Sequence, residues 1–145
     1  MFNYQETYTS TRKRVNCPSK ECIARGISSD GGLFIRDGFD DYPSSEGDVN
    51  LSYGELAKKV FSYFFPDFSS EELDEAISKA YQSGNFEEDI LRLSSFGDVS
   101  FLELYHGPTF AFKDMALTVL PHLLAKSKAS EANHKKAMIL TATSG

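Results

Sequence analysis

Ser100-Phe-Leu-Glu-Leu-Tyr-His-Gly-Pro-Thr-Phe-Ala-Phe-Lys-Asp114 is the stretch on which the fold turns. Ser100–Tyr105 is a short run rich in apolar and aromatic residues and reads as a strand. Gly107-Pro108 then makes a tight turn. From Phe112 to about Lys128, the residues Phe112, Ala116, Val119, Leu120 and Leu123 share one face. That spacing predicts a helix of about four turns. Pro121 lies inside it and should kink or split it, because an interior proline costs about 3 kcal/mol. Beyond the polar stretch 127–136, Ala137-Met-Ile-Leu-Thr141 reads as a buried strand. Strand, helix, strand is a βαβ unit and implies parallel pairing.

Towards the N-terminus the pattern changes. The first fifty residues are rich in turn formers, with a short helix at Lys20–Arg25 that Gly26 should end. Asp30-Gly-Gly leads into a short strand at Leu33–Ile35. Ser52-Tyr-Gly-Glu55 and Ser69-Ser-Glu-Glu72 are both capping-box patterns. Behind the first, Tyr53, Leu56, Ala57, Val60, Phe61 and Phe64 recur at helical spacing until Pro66. Behind the second, Leu73, Ala76, Ile77, Ala80 and Tyr81 do the same until Gly84. Two helices, at Ser52–Phe65 and Ser70–Ser83, with a short connection read as an antiparallel pair. The stripes themselves read as core.

The expected class is therefore α/β. Residues 1–95 form an N-terminal helical region with short strands, and residues 96–145 begin a parallel α/β domain. A parallel strand needs cover on both faces, and one crossover helix covers one. Residues 1–145 thus read as the front of a longer protein, truncated at residue 145. Uncovered apolar surface at Phe101, Leu102, Leu104, Met138, Ile139 and Leu140 should make the isolated fragment self-associate.

Composition narrows the function. Of 145 residues, 41% are hydrophobic and 25% charged, with a formal net charge of −6. An acidic chain without a basic block argues against a nucleic-acid partner. No run approaches the ~18 apolar residues of a membrane span. The N-terminus has no basic and apolar leader pattern, so a cytoplasmic location is expected. Cys17 and Cys22 are five apart without further ligands, which is not a zinc site, and no metal is expected. They read as free thiols, with a local disulfide as the alternative.

Two segments carry chemistry. Lys113 falls in the first turn of the predicted helix, at the carboxyl end of the strand, where ligands of open α/β sheets bind. A cation there opposes the helix dipole. With Phe110 and Phe112 as apolar neighbours, that field would favour the neutral amine that Schiff-base chemistry needs. The plain alternative is a solvated lysine paired with Asp114 at the surface. The second segment, Thr141-Ala-Thr-Ser-Gly145, suits a loop that holds an anion with backbone N–H groups and hydroxyls.

Together these segments resemble the threonine synthase family. His106-Gly-Pro-Thr-Phe-Ala-Phe-Lys-Asp-Met-Ala116 is similar to that family's lysine motif, and Thr141–Gly145 to the start of its T-S-G-D-T-G loop. Tyr8-Thr-Ser-Thr-Arg12, Asp30-Gly-Gly-Leu-Phe34 and Leu51-Ser-Tyr-Gly-Glu-Leu-Ala57 resemble its N-terminal segments, in the same order. Phe110 stands where the family often has leucine.

The resemblance implies a pyridoxal-phosphate enzyme of fold type II, a lyase of threonine biosynthesis. Its reaction converts O-phospho-L-homoserine and water to L-threonine and phosphate. Lys113 would form the covalent internal aldimine with pyridoxal 5′-phosphate and then shuttle protons. Phe112 and Asp114 would lie at the cofactor, Asp114 either positioning the lysine or capping the helix. Thr143 and Ser144 would contact the substrate. Arg12 is a phosphate ligand or an ordinary surface arginine. The groups that hold the cofactor phosphate and pyridine nitrogen lie further along in that family, so residues 1–145 alone should be inactive and bind the cofactor poorly. The competing readings are a threonine synthase-like phospho-lyase and a non-catalytic N-terminal interaction module.

Overall fold

A computed structural model of the chain describes residues 8–36, 42–82, 84–87, 89–129 and 138–140. In chain order the elements are β1 (Tyr8–Ser10), α1 (Ser19–Arg25), β2 (Phe34–Arg36), a 3₁₀ turn (Glu46–Asn50), α2 (Tyr53–Phe64) and α3 (Ser70–Ile77). A π turn (Ser78–Gln82), β3 (Arg92–Phe96), β4 (Val99–Glu103), α4 (Asp114–Leu117) and α5 (Leu120–Ala129) follow.

Both capping boxes form. The Ser52 hydroxyl accepts the Glu55 N–H at 3.3 Å, and the Glu55 carboxylate accepts the Ser52 N–H at 2.8 Å. Ser69 and Glu72 repeat the arrangement at 3.2 and 2.8 Å. The helix α1 ends as expected, with Gly26 at φ 71° and its N–H on the Cys22 carbonyl. Its start uses a cap no local pattern announces. The carboxylate of Asp67, between α2 and α3, accepts the N–H of Ser19 at 3.1 Å and that of Lys20 at 2.8 Å. The second long helix differs from its prediction at one end. After Ile77 it widens into the π turn, which still keeps Ala80 and Tyr81 buried.

β1 and β2 pair antiparallel, Thr9 opposite Ile35. The turn before β2 is tied by Asp30, whose carboxylate accepts the Ser10 hydroxyl at 2.8 Å and the Gly32 N–H at 2.9 Å. A Cβ on Gly32 would collide with the Ser10 hydroxyl, so only glycine fits there. Arg12 lies across this turn and donates to the Asp30 carbonyl at 3.1 Å.

The core is the cluster of Phe68, Leu73, Ala76, Ile77, Ala80, Tyr81, Val119 and Leu123. Val119 and Leu123 come from beyond residue 95, so α5 shares the core of the N-terminal helices. It packs on α1 and α3, and Lys126 bonds Glu75 across the last contact.

Two expectations for the second half change, and the break expected near Pro121 is present. The strand at Ser100–Tyr105 is present as Val99–Glu103, but its partner is β3, antiparallel, with Phe96 opposite Val99. Sequence reading missed β3. The two-residue connection Gly97-Asp98, with Gly97 at φ 59°, is what makes a hairpin possible there. Met138–Leu140 form no strand and are exposed, while Ala137 and Thr141 lie outside the described residues. Among the described residues no parallel pair forms, because a parallel strand gains its ladder only from a neighbour and its cover only from packed helices. The four-turn helix is split into α4 and α5 at Thr118-Val119. Pro121 takes the second position of α5, where its missing N–H has no carbonyl to serve.

Candidate active site

The hairpin delivers its second strand into His106. Here the chain is held from two sides. His106 is 5% exposed. Its Nδ1 lies 3.0 Å from a Glu87 carboxylate oxygen and its Nε2 3.0 Å from a Glu103 carboxylate oxygen. The Glu87 N–H also donates to the His106 carbonyl at 3.1 Å. Hydrogen bonds from Ser94, His106 and Tyr105 hold the Glu103 carboxyl below its ordinary range.

Gly107 comes next and admits no side chain. A Cβ there would stand 2.5 Å from the Asp114 Cβ and 2.9 Å from the Phe86 ring. The chain then turns, the Phe110 N–H donating to the Gly107 carbonyl at 3.2 Å. Phe110 has φ 57°, a left-handed conformation that costs a bulky residue energy and persists only where surroundings enforce it.

The enforcing group is Asp114, which is 3% exposed. Its carboxylate accepts the Thr109 N–H at 2.7 Å and the Thr109 hydroxyl at 2.6 Å, drawing the loop back on itself. Burial alone would raise this carboxyl. The bonds from Thr109 and from the Ala111 backbone together outweigh burial and hold it below the usual range. Asp114 is thus spent on the loop, and the surface ion pair with Lys113 does not form.

Lys113 stands at the head of α4, exposed, with no ion-pair partner among the described residues. Two supports expected from sequence are weaker than foreseen. α4 has four residues, too few for much of a dipole. Phe110 and Phe112 are 74% and 64% exposed and do not enclose the amine. Thr143 and Ser144 lie outside the described residues. The structure therefore groups Phe112, Lys113 and Asp114 on one tied loop. It adds His106, Glu87, Glu103, Gly107 and Thr109, which sequence reading did not single out as site residues. His106 and Gly107 sat in the motif; Glu87 carried no signal.

An exposed primary amine free of a carboxylate is the donor with which an aldehyde cofactor condenses, so the loop fits the amine end of such a site. Beside it lies an apolar groove of about 490 Å³ between α2 and α4–α5, lined by residues that include Leu56, Val60, Met115 and Leu120. Cys17 and Cys22 are buried, free thiols, and burial raises both. Among the described residues no acidic, His or Cys cluster is suited to a metal ion, and no helix is long and apolar enough to cross a membrane.

Residues 7–81 match the family model described as the threonine synthase N terminus. The threonine synthase of Schizosaccharomyces pombe is 36% identical over 124 residues, which cover 82% of this chain and 24% of that protein. Human threonine synthase-like 1 is 34% identical over 97% of this chain and 20% of its own. A crystal structure of threonine synthase from Brucella melitensis with PLP bound superposes with a TM-score of 0.73 at 29% identity. It covers 86% of this chain and 28% of that one. The chain thus spans about a quarter of the length of these relatives.

Proposed function

This chain belongs to the threonine synthase N-terminus family, and on that footing we propose that it is the front of a pyridoxal-phosphate lyase. The reaction is conversion of O-phospho-L-homoserine and water to L-threonine and phosphate. The observation that carries this reading is Lys113, exposed and without an ion-pair partner among the described residues, on a tied loop, in a chain that superposes on a PLP-bound threonine synthase. The cofactor, when bound, supplies the electron sink that lets protons leave the substrate carbons. Lys113 supplies the amine that holds it and carries protons at Nζ. Asp114 holds the loop that aims Lys113, and Phe112 offers an apolar face beside it. Thr143 and Ser144 are the proposed contacts to the substrate. Residues 1–95 are the N-terminal domain and residues 96–145 open the fold-type II catalytic domain. The free thiols accord with a cytoplasmic location.

The test is product analysis on the full-length protein with O-phospho-L-homoserine. Phosphate and threonine are expected in equal amounts. Phosphate with an oxo acid instead of threonine would mean elimination without hydration, and no phosphate release would leave a non-catalytic module.

For residues 1–145 alone we expect no activity and self-association. Phe101 and Leu102 are 57% and 59% exposed on β4, and the groove beside α2 is open. Sedimentation should show species above 16.2 kDa that grow with concentration. A monomer at high concentration that binds the cofactor tightly would overturn this.

A further inference from the structure

We propose that His106 is a positioning residue for Lys113, acting through the buried clamp that Glu87 and Glu103 make on its ring. The proposal rests on the functional reading above only for what Lys113 is aimed at. The geometry of the clamp is independent of it.

The loop from Gly107 to Lys113 has two anchors. The rear anchor is the Asp114 carboxylate on Thr109. The front anchor is His106, the last residue before the loop. Its ring is almost fully buried, and each nitrogen faces a carboxylate oxygen at 3.0 Å. Glu103 ends β4, whereas Glu87 precedes β3, so the imidazole ties the two ends of the hairpin together at the loop's root. The Glu87 N–H on the His106 carbonyl adds a second tie across the same pair. The anchors touch each other, because Gly107 is packed against both Asp114 and Phe86 with no room for a Cβ. A displacement of His106 is therefore passed to Gly107, to Asp114 and to its neighbour Lys113. A buried, doubly held histidine is more than filling requires, since an apolar residue would fill the same space without needing two partners.

The test uses the full-length protein and two readouts. The first is amide exchange of the peptide spanning Thr109–Lys113, which needs no cofactor. The second is the rate at which the Lys113 amine adds to the aldehyde of pyridoxal phosphate with loss of water, trapped by borohydride, with the circular dichroism of the attached cofactor. His106→Ala is expected to speed loop exchange at least about tenfold. It should slow attachment by about tenfold to a hundredfold, the scale of a misplacement near 1 Å, and change the cofactor's dichroism. His106→Asn and His106→Gln, each keeping one N–H donor to one carboxylate, should recover most of both. A folded His106→Ala protein with wild-type exchange, rate and dichroism overturns the proposal. If His106→Ala does not fold, Glu87→Ala decides. That side chain is 55% exposed, so its loss is tolerated by the fold, and unchanged exchange and attachment would equally refute the clamp. A wild-type protein that fails to attach the cofactor, but whose loop loosens in His106→Ala, would sink the functional reading and leave the clamp standing.

Discussion

Lys113→Ala in the full-length protein is expected to abolish covalent capture of pyridoxal phosphate. The wild type should yield a borohydride-stable adduct that maps to the peptide containing Lys113, with the absorbance of a bound, conjugated cofactor imine. The variant should yield neither. The expectation comes from the position of the amine. Lys113 is exposed at the end of a loop tied at both ends, and no described carboxylate holds its charge. Several other lysines are held by carboxylates that compete for the amine. Lys20 sits on Glu72 at 2.7 Å, Lys58 on Asp74 at 2.6 Å and Lys59 on Asp48 at 2.5 Å. A variant that still forms a reducible adduct of full stoichiometry would remove Lys113 from the site.

Asp114→Asn is the second large effect, and it should be pH-dependent. The carboxylate takes two hydrogen bonds from Thr109, and bonds to a charged acceptor contribute roughly 1.5–3 kcal/mol each. Thr109 is exposed and regains water when they are lost, which reduces the net cost. A loss of about 2 kcal/mol near neutral pH is expected, read as a lower midpoint in urea unfolding followed by tyrosine fluorescence. The sign with pH follows from linkage. The folded carboxyl lies below its unfolded value, so its contribution is complete above the ordinary carboxylate range and is lost as the pH falls through and below it. The gap between wild type and Asp114→Asn should therefore close in acid. A gap that stayed constant down to strongly acid pH would show that Asp114 acts by shape and not by charge.

The boundary between local and tertiary information runs through particular residues. Both capping boxes, the apolar stripes behind them and the Gly26 stop were legible, because each depends on groups within about four residues of one another. The lysine motif was legible for the same reason, since Lys113 and Asp114 are adjacent on a turn that Gly107-Pro108 announces. The strand at Ser100–Tyr105 was legible as a strand, but its partner was not. An extended run of apolar residues suits parallel or antiparallel pairing, and here the Gly97-Asp98 turn places β3 alongside it, antiparallel.

By itself, then, the amino-acid order determined where the two capped helices begin, where α1 and α2 stop, and which amine stands at a strand-to-helix junction. Those properties are set by spacing, caps and turns, whose interactions close within a helical turn. Only the tertiary structure decided that α5 completes the core of the N-terminal helices, that Asp67 caps α1 from 48 residues away, and that Glu87 and Glu103 grip His106 at the root of the lysine loop. It also turned Asp114 inward, away from an ion pair with Lys113 and onto Thr109. Most of these contacts join residues far apart along the chain; Glu103–His106 and Thr109–Asp114 are close in sequence, but no helix or strand period announces them. Burial chose among the available partners, because a buried carboxylate or imidazole must be satisfied by whatever donor or acceptor the packing brings within reach.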